Sequence, residues 1–140
     1  MVNDLPRRAA AAQAAVKRFK GVPLAYGKND CVRMAAFVLR RMGHRPQLGK
    51  AGSYRSAPGA VRALRRAGHE TLAGALDGLG LVRIAPAAAL PGDIVMLPAE
   101  GPFDGSLNIH VGNGRVLGYH EDAVGADILQ PVRYLAAWRV

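Results

Sequence analysis

The sequence predicts an α+β fold. Three observations point there: apolar residues recur at helical spacing through the first half, the period shortens toward two from Leu81 onward, and Gly, Pro, Asn and Asp clusters separate the strand-like runs. The helical part covers about residues 4–78 and the β part about residues 81–140. At 140 residues the chain fits one domain spanning 1–140, able to bury roughly two thirds of its unfolded surface without disulfides or metals. No internal repeat or interdomain linker interrupts it.

The elements follow in order. Asn3 or Asp4 can cap a first helix that Pro6 opens, and the Ala-rich stretch runs to Lys20 before Gly21 and Pro23 stop it. A second helix starts at Asp30 or Cys31. Cys31, Met34, Ala35, Val38, Leu39 and Met42 share one side of it, Arg33, Arg40 and Arg41 lie mostly on the other, and Gly43 ends it. A third helix is expected from about Ala57 to Ala67, and "HETLAGALDGLG" supplies a short fourth. Beyond it, "LVRIA", "DIVML", "SLNIHVG", "RVLGY" and "AAWRV" read as short strands.

Composition narrows the function classes. With a single cysteine the chain can form no internal disulfide and no all-cysteine metal site, which is compatible with folding in a reducing cytoplasm. No run of about 18 apolar residues could span a bilayer, and the N-terminus lacks the pattern of an export signal. The expectation is a soluble protein without membrane insertion. The net charge of +9 is uneven: residues 1–70 carry 15 Lys/Arg against 3 Asp/Glu, and residues 71–140 carry 4 against 7. That asymmetry fits either a face attracted to a polyanion or a solvated Arg-rich surface.

The stretch "YGKNDCVRMAAFVLRRMG" holds the one thiol at a helix start. Unpaired backbone N–H groups and the helix dipole there favour an anion, so Cys31 is expected to have a lowered pKa and N–H groups placed to hold an oxyanion. A lone cysteine is more often a small buried hydrophobe, and both readings stand. Tyr26 comes near the same helix start, either as a second oxyanion donor or as packing. Asp30 reads as the helix cap.

These residues carry a resemblance. The aromatic–glycine turn, the Asp-Cys pair opening a core helix, "LPGDIVML" and "NIHVGNGRVLGY" resemble the NlpC-type branch of the papain-like cysteine peptidases and amidases over about residues 23–120. A likeness covering nearly the full length is to small phage and prophage proteins found beside tail-tip genes, through the Asp-Cys pair, "YRSAPGAVRALRRAG", the Gly-Asp before a strand and the terminal "AAWRV". The resemblance implies helices packed on a small antiparallel, barrel-like sheet, with Cys31 at the nucleophile position.

The same resemblance places the general base nine residues before Arg115, which is Ser106, and its orienting partner three residues after, which is Gly118. Neither side chain can fill its role. His110 shares a face with Ser106 but lies roughly 13 Å further along the strand. His120 depends on the turn: a three-residue loop pairing Val111 with Arg115 sets His120 across from Ser106, whereas a two-residue turn at Asn113 and Gly114 flips it to the other face. His44 and His69 follow glycines at helix ends and read as caps or surface residues. No HExxH, CxxC or phosphate-binding glycine loop is present, so no metal or other cofactor is expected.

Three functions remain in view. One is a peptidoglycan-directed cysteine peptidase or amidase acting in cell-wall penetration, with Cys31, His110 or His120, and Tyr26 at its site and the basic half suiting an anionic wall. The second is a catalytically degenerate structural component of a phage tail tip, partnered by tail-tip or baseplate proteins and located in the virion after cytoplasmic synthesis. The third, nucleic-acid binding, is the weakest, because the segment after the "RRAGHETL" turn has no Arg or Lys to read bases.

Overall fold

The computed structural model describes residues 4–47, 52–101, 103, 105–120 and 123–140. Four helices precede six strands: α1 Leu5–Phe19, α2 Cys31–Arg41, α3 Ala57–Arg66 and α4 Leu72–Gly78, then β1 Val82–Ile84, β2 Ile94–Leu97, β3 Ser106–Gly112, β4 Arg115–Gly118, β5 Asp127–Leu129 and β6 Ala136–Arg139. The α+β class and the helix boundaries follow the sequence pattern closely. Asn3, one of the two expected caps of α1, lies outside the described residues. Asp4 stands at the N-cap position, but its carboxylate accepts from Arg8 Nε at 3.0 Å instead of capping.

Glycine in the left-handed region terminates two helices. Gly43 (φ +89°) lets the His44 N–H reach back to the Leu39 carbonyl, and Gly68 (φ +91°) does the same for His69 and Leu64. Polar N-caps begin three helices: Asp30, Ser56 and Thr71 each accept from the backbone N–H three residues on.

All strand pairings are antiparallel, in the order β1-β6-β2-β3-β4-β5. The sheet is open, so the expected barrel-like closure is not observed. Closure would require its edges to pair, and both edges are three-residue strands, β1 and β5. β5 was not expected, since three residues beginning with an exposed Asp127 are too short for a period-two signal.

The two sheet faces are unlike. Ile94, Met96, Leu107, Ile109, Leu117 and Trp138 face the helices and join Ala15, Phe19, Met34, Val38 and Leu39 in the main core. Val95, Leu97, Val116 and Ala137 form a smaller cluster on the other face. Helix α2 packs on β3 and α1, which sets the N-terminus of α2 against the start of β3.

The glycine-aspartate pair before β2 has a structural role. Asp93 is fully buried and accepts from Arg8 Nη1 (2.7 Å), Val140 N (2.9 Å) and Leu90 N (2.9 Å), while Arg139 Nη1 lies 3.0 Å away. Arg8 also donates to the Val140 carbonyl. One carboxylate thus joins α1, the turn before β2 and the end of β6. A second junction gathers on Asp77, which accepts from both Arg83 (3.0 and 2.8 Å) and Trp138 Nε1 (2.9 Å). These bonds hold its carboxyl down at about 2, Arg83 contributing most.

Candidate functional site: a groove at the start of α2

A groove of about 1170 Å³ opens where the N-terminus of α2 meets the beginning of β3 and the end of β4. Cys31, Tyr26, Asp30, Ser106, Tyr119 and His120 all line it, with Glu100 and Phe103 from the β2–β3 connection and Asp127 from β5. His110 does not appear on its wall, and neither do His44 and His69. His69 instead lies over Gly78 and faces an apolar cavity of about 500 Å³ between α2, α3 and α4.

The sequence begins α2 at this point because Asp30 caps it. Asp30 Oδ1 accepts from Arg33 N at 2.8 Å, and Oδ2 accepts from Gly27 N at 2.7 Å and Tyr54 Oη at 2.8 Å. With both oxygens engaged and 3% of its surface exposed, Asp30 is a structural residue. Gly27 has φ +85°, and a Cβ there would meet the Tyr54 carbonyl oxygen at 1.9 Å, so only glycine fits this approach.

The thiol departs from the sequence expectation. Burial pushes Cys31 up to about 11, and the Asp30 carboxylate adds to the effect. Backbone N–H groups of Leu107, Cys31 and Val32 oppose it but do not prevail. Helix-start stabilisation of a thiolate is a surface-scale effect of about 1 kcal/mol, and desolvation outweighs it here. The residue as a whole is half-buried, but its sulfur is set inward against the Leu107 main chain.

The position of His120 rests on one extra residue. Asn113 (φ +55°) and Gly114 (φ +72°) form the two-residue turn, and Gly112 pairs with Arg115. That turn alone would send His120 to the opposite face. A β-bulge between His110 and Gly112 restores the other register, in which His110 pairs with Val116 and Ile109 with Leu117. Continued along the hairpin, this register sets Asn108 across from Gly118 and Ser106 across from His120. The contacts agree: the Asn108 Oδ1 lies 1.7 Å from where a Cβ of Gly118 would stand, and His120 Cε1 is 3.4 Å from the same point.

Gly118 therefore lacks a side chain because Asn108 fills its place. Asn108 is fully buried, and its amide Nδ2 donates to the Ser106 carbonyl (3.0 Å) and Oγ (3.2 Å), leaving Oδ1 without a partner. Two more buried polar atoms on the same hairpin end are unpartnered: Tyr119 Oη and His120 Nε2. Such atoms are uncommon in folded proteins, and two of these three, on Tyr119 and His120, belong to residues that line the groove. Burial lowers the His120 pKa, opposed by the Asp127 main-chain carbonyl, so the imidazole is neutral near pH 7. Burial also lowers His110, against the charge of Asp93 and the Leu90 carbonyl, well away from the groove.

Tyr119, Asn108 and Tyr54 escaped the sequence reading. Period two puts Asn108 on the face of Ser106, so the register would have revealed it; Tyr119 takes the opposite, helix-facing side, where burial and then Asp30 raise its hydroxyl pKa, with Cys31 adding to the rise. Tyr54 joins Asp30 across 24 residues, and no local pattern signals that. Among the described residues, no group of three or more His, Cys, Asp or Glu is placed to hold a metal ion, and no helix is long and apolar enough to cross a membrane.

The fold and groove define an α+β protein with a buried thiol at a helix start and a neutral histidine at a hairpin end that lines the same groove. The chain belongs to the family described as a domain of unknown function, DUF6950, whose pattern matches residues 3–140. No curated protein matches it.

Proposed function

We propose that this chain is an NlpC-like, papain-like cysteine peptidase or amidase that acts on peptidoglycan as part of a phage or prophage tail tip. The observation that carries the reading is the groove itself, which takes in Cys31, Tyr26, Tyr119 and His120 together and leaves two of their polar atoms without partners. In this reading Cys31 Sγ attacks a peptide or amide carbonyl carbon. His120 Nε2 takes the thiol proton, directly or through a water, and returns it to the leaving amine, and water then hydrolyses the thioester. The N–H groups at the start of α2, with Tyr26 or Tyr119, hold the oxyanion. Asn108 and His120 pack side by side over Gly118.

At rest the Cys31 thiol and the His120 ring are both uncharged. Ionising a thiol of pKa about 11 at pH 7 costs about 5 kcal/mol, so attack has to be coupled to proton transfer instead of drawing on a standing thiolate. Incubation with purified peptidoglycan tests the proposal: the wild-type chain releases soluble fragments and Cys31→Ala does not. Equal release by both removes Cys31 from the mechanism.

The same thiol favours a second reading, a tail-tip assembly component in which Cys31 is a core residue, because the groups that set its pKa are backbone and Asp30 and include no histidine. That reading predicts co-purification with tail-tip proteins irrespective of Cys31→Ala. Absence from particles and assembly intermediates counts against it.

A further inference from the structure

The charge of the groove is opposite to that of the chain. The sequence carries +9, yet the charged residues lining the groove among those described are Asp30, Glu100 and Asp127, with no Lys or Arg. Asp30 is consumed by its cap and by Tyr54. Glu100 and Asp127 are exposed, come from different walls, and take part in none of the ion pairs among the described residues. The basic residues of the first half do not line the groove, so the expected suitability of that half for an anionic polymer does not extend to the Cys31 site.

The uncharged polar groups agree with the carboxylates. With the Asp127 carbonyl acting on its ring from one side, His120 presents an unpartnered Nε2 as an acceptor on the groove wall, and the unpartnered Tyr119 hydroxyl oxygen is a second. A ligand that satisfies this end of the groove brings N–H donors. The rim is apolar, with Leu24 and Leu135 about half exposed.

Resting on the hydrolase reading, we propose that the groove selects a peptide-like chain bearing an ammonium or guanidinium group, held between Glu100 and Asp127 while an adjacent carbonyl reaches Cys31. Two carboxylates at solvated sites together favour a cation by about tenfold. Because the whole chain repels cations, any affinity for one has to arise locally.

The test uses the full chain with Cys31→Ser, so that binding is read without turnover. Tetralysine and tetraglutamate are titrated at low and high salt. Tetralysine is expected to bind about tenfold tighter, to weaken with salt, and to lose most of that preference in Glu100→Gln and Asp127→Asn but not in Glu70→Gln, an exposed carboxylate outside the groove. Equal binding of the two peptides, or an equal loss in Glu70→Gln, overturns the proposal. Peptidoglycan release by the wild-type chain is scored separately: selective binding without cleavage sinks the hydrolase reading alone, and cleavage without charge preference sinks the selectivity alone.

Discussion

Cys31 and Asp30 are neighbours with opposite consequences. Asp30 starts α2 and anchors Gly27 and Tyr54, and its negative charge adds to the burial that raises the thiol. Asp30→Ala is expected to cost about 2 kcal/mol, from a lost cap and two half-buried donors left unpaired, measured as a shift in the denaturation midpoint. An unchanged midpoint contradicts the capping role. The thiol itself makes a kinetic prediction: alkylation of the folded chain at pH 7 proceeds far more slowly than that of a free thiol, and the rate climbs with pH toward a midpoint near 11. Fast labelling at neutral pH contradicts the buried, neutral thiol. The helix start was legible from "NDC", and Asp30 as its cap with it. The sign of the Cys31 shift was not, because the burial that raises it comes from tertiary packing of α2 against the core, including β3, and no local pattern signals that.

At the scale of elements, the β3–β4 hairpin decides which histidine reaches the groove. The motif "GNGR" indicated a turn, and its chemistry admitted both registers. The bulge at Val111 combines them, taking the turn of one and the pairing of the other. A bulge has no reliable sequence signature, so His120 could not be placed from the sequence, while the strands on either side could. Gly118→Ala tests this register. A Cβ there meets Asn108 Oδ1 at 1.7 Å, and Asn108 has to leave its bonds to Ser106 or the strands have to part. The expected cost is about 1–3 kcal/mol in stability, with a displaced His120 seen in its ring NMR signals. A neutral substitution contradicts the pairing of Asn108 with Gly118.

For the whole molecule, charge and burial set the response to pH. His110 and His120 titrate below 6.5 in the folded chain, since burial disfavours their cations. Between their folded values and 6.5 the unfolded chain binds more protons, so stability falls as pH drops below about 6.5. Asp77 has the opposite charge type but acts in the same direction: its contribution is present above 3.8 and is lost as pH falls toward about 2. Thermal melts from pH 7.5 to 4.5 should show a falling Tm, flattened in its upper part by His110→Gln with His120→Gln; a Tm that rises on acidification contradicts the burial of both rings. The α+β layout was legible as a whole because helix caps and strand alternation are local signals. The open sheet was not, because closure depends on whether two distant edges meet.

The central claim is that Cys31 acts with His120, the histidine that the bulge delivers to the groove, and not with His110. Peptidoglycan release by wild type, His120→Ala and His110→Ala, each verified as folded, tests it most directly. Loss of at least about a hundredfold in His120→Ala, with activity retained in His110→Ala, is the predicted result. Full activity in His120→Ala contradicts it.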